Sequence, residues 1–171
     1  ITTGDSTLSA VVQSVMAAEV GYHEAAMKYF RSALYVDLAD LHGNTVDGLH
    51  VASMGGVWQT LVCGFGGMRD HGGRLSFDPR LPVDWPSLSF PLRWQDVTAD
   101  ITVTQETMTV AVRGEEGAFP FRVRGVDHVA RAGHDVVVDL DGQGPRIDGL
   151  LGDRPLIGGH RADGTVITAG V

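Results

Sequence analysis

The hydrophobic period changes once along the chain, and that change constrains the fold more than any other feature. Up to residue 62, apolar residues recur at three- and four-residue spacings; from residue 88 they alternate one by one. A helix buries a stripe of period 3.6 and a strand buries every second residue. A chain that carries the first pattern and then the second, without interleaving, is an α plus β fold with helices first and an antiparallel sheet structure after.

Three helices are predicted. "STLSAVVQSVMAAEVG" opens on hydroxyl residues suited to an N-cap. It carries Leu8, Val11, Val12, Val15 and Ala18 at helical spacing and stops at Gly21. "YHEAAMKYFRSALYVDL" puts Tyr22, Ala26, Tyr29, Phe30 and Ala33 on one stripe. A loop with Gly43, Asn44 and Gly48 follows, then a third helix over 49–62. Beyond "GFGG", short alternating runs predict strands at "LSFPLRW", "DITVTQ", "TMTVAVRG", "FPFRVRG" and "HDVVVDL". Each is bounded by turn residues, as in a small antiparallel sandwich or barrel, and Pro91 and Pro120 belong at edges or bulges. Residues 141–171 are rich in Gly and Pro with weak periodicity and read as a loosely structured tail.

Composition excludes several classes. With 21 acidic against 13 basic residues, the net charge of -8 argues against nucleic-acid binding. The single cysteine, Cys63, allows no disulfide framework and points to a reducing, cytoplasmic setting. No apolar run reaches membrane-spanning length, and the start does not resemble a signal peptide. The chain opens at Ile1 in what reads as the middle of a motif, which suggests a fragment.

Few residues carry a chemical signal. Ser6 and Thr7 in "TGDSTLS" lie at a helix start, where free amides and the helix dipole favour an anion. Plain capping, worth ~1 kcal/mol, explains the same residues. His50 begins the charge-poor stretch "HVASMGGVWQTLVCGFGG". It could bind an anion, ligate a metal, act as an acid or base, or be a core histidine with a hydrogen-bond partner. Asp37, Asp40, His42, Asp47 and His50 cluster in sequence, but the spacing matches no metal-ligand pattern, and a solvated acidic loop is the simpler reading. "GFGG" and "HGG" are turns rather than phosphate loops. Cys63 has no evident base, there is no GxSxG, and Arg122 and Arg124 read as a solvated strand face.

"GDSTLS", "GNTVDGLHVASMGGVWQTLVCGFGGMR" and "LSFDPRLPVDWPSLSFPLRW" together resemble the C-terminal part of the maltose, trehalose and kojibiose phosphorylase family of glycoside hydrolases. The family pattern runs Ser-Ser-Leu-Ser, Asp-Gly-Ile-His-Ile-Ala-Ser, Gly-Phe-Gly-Gly and Leu-Ser-Phe-x-Pro-x-Leu-Pro. Here Thr7 stands for the second serine, and Leu49 and Val51 for the isoleucines. The resemblance covers about residues 3–125. It implies that residues 1–63 are the last helices of an (α/α)6 catalytic barrel and 64–140 a small antiparallel β-sandwich domain, followed by the 141–171 tail.

The chemistry so implied is inverting cleavage of an α-glucoside, with inorganic phosphate as co-substrate and no other cofactor and no metal. Phosphate takes the place of the water that an inverting hydrolase holds in a gap of ~6.5–9.5 Å between two carboxyl groups. By the same resemblance Ser6, Thr7 and His50 hold that phosphate, and β-glucose 1-phosphate is the product. The general-acid glutamate falls upstream of Ile1, so no catalytic residue lies in this chain, and the isolated chain is expected to be inactive. The partners implied are a disaccharide, phosphate, the rest of the same polypeptide and, as is common among relatives, a second copy in a homodimer. Two other readings stay open. A trehalase-like hydrolase on the same scaffold would need a base, for which Asp5 is the nearest candidate. A non-catalytic interaction module would leave His50 and Ser6 far apart.

Overall fold

A computed structural model of the chain describes residues 8–40, 43 and 45–147. It divides into two compact units, Ile1–Val57 with Arg146–Val171, and Trp58–Pro145.

The first unit is helical. Helix α1 (Ser9–Val20) begins with Leu8 in the N-cap position and no side-chain cap; Ser6 and Thr7, the expected caps, lie outside the described residues. It ends at Gly21, whose φ of 104° lets its N–H reach Ala18 O while the Tyr22 N–H reaches Ala17 O. Helix α2 (His23–Leu34) returns against it. The seam between them is made of small residues, with Ala17, Ala18, Ala25, Ala26 and Ala33 buried, and the Ser14 hydroxyl donates to Ala26 O at 2.7 Å. The expected stripe on α1 is thus only half right. Val11 and Ala18 are buried, but Leu8 and Val12 are 45% and 62% exposed. With Met16 and Val20 they form an i, i+4 row on the outer side. Small residues win the seam because they let two backbones approach closely, which larger side chains would prevent.

After a turn and a short 3₁₀ segment (Thr45–Asp47), helix α3 (Val51–Gln59) begins two residues later than expected. Its Gly56 packs on α1, where an added Cβ would lie 2.4 Å from Val11 Cγ2. The i→i+4 pattern then widens into a π-helical segment (Thr60–Phe65), closed by Gly66 N–H to Leu61 O.

The second unit is a sandwich of two four-stranded sheets. One runs β1 (Met68–Asp70), β2 (Leu75–Phe77), β6 (Ala118–Val123), β7 (Val126–Arg131). The other runs β3 (Ser87–Trp94), β4 (Val97–Thr104), β5 (Thr107–Val112), β8 (Val136–Asp139). All pairings are antiparallel except β2 with β6, which is parallel. Alternation does what the sequence predicts: on β4, Ala99, Ile101 and Val103 face one core with Met108, Val110, Phe119 and Phe121, and Val62 joins them from the π-helical segment. Phe65 packs edge-on against Trp85, ring centres 5.2 Å apart.

The prolines need a finer rule than "edge". Pro91 does lie on an edge strand, β3. Pro120 lies on β6, between two neighbours, but β2 pairs only with Arg122 and Val123. At Pro120 the β2 side of the ladder has already ended, so the missing N–H costs no bond. Gly67, with φ 65°, presses on the Asp78 backbone, where a Cβ would sit 1.9 Å from its carbonyl oxygen; no other residue fits.

Of the segment 141–171, residues 141–147 are described, and they are tied down. The Gln143 side chain accepts from Leu81 N–H at 2.8 Å and donates to Thr104 O and Gln105 O at 3.0 and 2.9 Å. Asp78 bridges Arg80 and Arg124, and these donate onward to the carbonyls of Gln143 and of Leu140 and Gly142. Arg124 is therefore not a solvated strand residue. It follows β6 in a two-residue turn with Gly125, φ 46° and 88°, which swings its side chain towards Asp78.

Candidate functional site

His50 is placed by the turn before α3 and by a carboxylate from the turn after α2. Its carbonyl accepts from Ser53 N–H and Met54 N–H, at 2.9 and 3.1 Å, so it is the N-cap of α3 rather than a residue inside the helix. Asp37 explains why the helix starts there. Its Oδ2 accepts from the His50 backbone N–H at 2.9 Å, and its Oδ1 lies 2.5 Å from His50 Nδ1. One carboxylate thus holds the main chain and the ring of the same residue across 13 positions of sequence. The Asp37 side chain is 6% exposed and that of His50 22%. The hydrogen bond from the His50 side chain holds the Asp37 carboxyl below the usual carboxylate range, against the opposing effect of burial. An ionised carboxylate only accepts, so Nδ1 carries a proton.

The rest of the acidic loop does other work. Asp40 Oδ1 accepts from Thr45 N–H at 3.1 Å, bracing the 3₁₀ turn. His42 lies outside the described residues. Among the described residues, no group of three or more His, Cys, Asp or Glu side chains is gathered as a metal site, and no helix is long and apolar enough to cross a membrane. Burial pushes the Cys63 thiol up, which leaves it a poor nucleophile at neutral pH. Asp5, Ser6 and Thr7 also lie outside the described residues, so of the sequence-predicted site only His50 is placed. Asp37 was visible in sequence as one acid among several; nothing in the spacing singles it out as the partner of His50.

The described residues thus hold a Nδ1-protonated imidazole against a carboxylate at a helix start, on a helical unit followed in sequence by a β-sandwich. Comparison with known proteins gives the scaffold its family. Residues 1–59 match the central catalytic domain of glycosyl hydrolase family 65, and residues 68–130 match the C-terminal domain of the same family. The chain belongs to glycosyl hydrolase family 65. Its relatives include the alpha,alpha-trehalose phosphorylase of Thermoanaerobacter brockii, 44% identical over 112 residues, which cover 66% of this chain and 14% of that protein. The kojibiose phosphorylase of Caldanaerobacter subterraneus subsp. tengcongensis is 41% identical over 113 residues, 65% of this chain and 15% of its own length. The chain thus spans about one-seventh of the length of the curated relatives it matches. In fold it is similar to a solved structure described as a candidate kojibiose phosphorylase from the human microbiome, with TM-score 0.70 and 23% identity over 80% of this chain and 18% of that one.

Proposed function

We propose that this chain is the C-terminal portion of an inverting disaccharide phosphorylase and supplies part of its phosphate pocket. The observation that carries the reading is the match, in order, to the end of the family's catalytic domain and to its C-terminal domain, among relatives named as phosphorylases. In this reading residues 1–63 close an (α/α)6 barrel and 64–140 form the sandwich domain. The exposed row Leu8, Val12, Met16 and Val20, with Leu49 just before α3 and Val51 and Met54 on it, supports this assignment. Contiguous apolar residues at helical spacing want a partner surface, and further barrel helices would provide one.

The phosphate is held by His50 together with Ser6 and Thr7. Hydroxyls and a histidine supply donors without a second carboxylate, which suits an anionic nucleophile and would repel neither its approach nor its charge. In the reaction the phosphate oxygen forms a bond to the anomeric carbon as the glycosidic bond breaks. A general acid outside this chain gives its proton to the leaving oxygen. The relatives named as trehalose and kojibiose phosphorylases support a substrate among glucosyl disaccharides.

The test is to incubate the intact enzyme with trehalose, kojibiose and maltose, with and without phosphate, and to identify products by NMR. β-Glucose 1-phosphate formed only when phosphate is present is the expected result. Free glucose released equally in phosphate-free buffer would overturn the reading in favour of hydrolysis.

A further inference from the structure

We propose that Asp37 is the positioning residue of the phosphate site: by gripping His50 at both its backbone N–H and its Nδ1–H, it fixes the ring and assigns Nε2 to the anion. The proposal rests on the reading of His50 as a phosphate ligand, and deepens it.

The geometry carries the inference. A histidine ring on a helix cap has two free torsions, and each ring nitrogen can be donor or acceptor. Asp37 removes both freedoms at once. Oδ2, 2.9 Å from the backbone nitrogen, sets the main chain of residue 50 and so the direction of its Cα–Cβ bond. Oδ1, 2.5 Å from Nδ1, sets the rotation of the ring and its tautomer. Aspartate is the residue type this needs, because two acceptors are in use. Asparagine offers one acceptor, so it cannot take both the backbone N–H and Nδ1–H; its NH₂ could meet Nδ1 only if the ring turned to the opposite tautomer.

The assignment has a consequence for the proton. With Nδ1–H committed to Asp37, a ring that donates from Nε2 to a phosphate oxygen is an imidazolium, flanked by the carboxylate on one side and the anion on the other. A neutral ring presents its Nε2 lone pair and accepts from a phosphate hydroxyl instead. Either way a single proton lies between Nε2 and phosphate. The site therefore takes the dianion with a charged ring, or the monoanion with a neutral one, and the total proton count is the same.

The test uses initial phosphorolysis rates of the intact enzyme, with phosphate varied at saturating disaccharide and the disaccharide varied at saturating phosphate. Asp37→Asn should raise KM for phosphate about 10- to 100-fold, the loss expected for a charge-assisted hydrogen bond, while KM for the disaccharide stays within about twofold. Asp37→Glu keeps two acceptors and should recover part of the loss; if Asp37→Asn does not fold, Asp37→Ser, which also lacks the second acceptor, is read in its place against the same standard. In a His50→Ala background, Asp37→Asn should add nothing further to KM for phosphate. Wild-type KM for phosphate in a folded Asp37→Asn or Asp37→Ser variant, with His50→Ala defective, overturns the positioning role alone. So does a further rise in the double variant. Wild-type KM for phosphate in His50→Ala itself overturns the underlying reading of the pocket.

Discussion

Gln143 closes the sandwich with one amide, and removing it should cost more than a surface glutamine normally does. Its oxygen takes the Leu81 N–H and its nitrogen gives to two carbonyls, at 2.8 to 3.0 Å, and the residue is 8% exposed. Gln143→Ala leaves one donor and two acceptors without their partners. Each such group costs ~1–3 kcal/mol when fully cut off from water. Water can reach the rim of this site, so a total of ~2–4 kcal/mol is expected. In urea, followed by the fluorescence of Trp85 and Trp94, the midpoint of the 171-residue chain should fall by about 1–2 M with little change in slope. Gln143→Glu separates amide recognition from mere size. One of its oxygens can still accept from Leu81, but the other faces two carbonyl oxygens, which favours the protonated acid in the folded state. A raised folded pKa means that the native chain binds more protons, so its stability falls as pH rises. The Glu variant should approach the wild type at low pH and lose stability towards neutrality. An unchanged midpoint for the Ala variant, or a Glu variant as stable as wild type at neutral pH, would refute the reading of this amide as the clasp.

Two further outcomes are expected. The β3–β4 hairpin turns on Gln95 and Asp96 with φ of 46° and 67°, a geometry that favours Asn-Gly. Replacing the pair with Asn-Gly should stabilise by ~1 kcal/mol and raise Tm by a few degrees, since the exposed Arg93–Asp96 pair it removes is worth little; an unchanged or lower Tm would count against the strain. The carboxyls of Asp37, Asp100 and Asp127 are all held below the usual range, by hydrogen bonds from His50, Arg113 and Arg122 respectively. Depressed folded values mean stability that is present above the ordinary carboxylate pKa and lost as pH falls through the depressed ones. Urea midpoints should be flat above about pH 5 and decline below about pH 4, with added salt shrinking the share of the two exposed arginine pairs; a midpoint that rises on acidification would contradict this.

How much was legible depended on whether one residue's chemistry or a distant pairing decided the outcome. Strands β3, β4 and β5 could be read because Phe90, Ile101, Val103, Met108 and Val110 alternate with polar residues over an adequate length. Strand β7 could not, because its inward positions hold His128, stacked on Phe121, and Ala130, while Val126 and Val129 are exposed. Strand β1 is three residues long and carries no pattern. On α1 the most apolar residues carry the helical period, whereas the contact with α2 is made by Ser14 and alanines. His50 could be singled out by its isolation in a charge-poor stretch. Its grip by Asp37 could not, because a loop that returns across 13 residues leaves no periodic trace. The Gln143 clasp spans 62 residues and was invisible for the same reason.

The most direct test of the account is a crystal structure of the intact enzyme with phosphate and glucose bound. The account predicts a phosphate oxygen at hydrogen-bond distance, about 2.7–3.2 Å, from His50 Nε2, with Ser6 and Thr7 on the same anion and the Asp37–His50 pair intact behind it. Phosphate bound at the sugar by other residues, with His50 about 10 Å or more away, would contradict it.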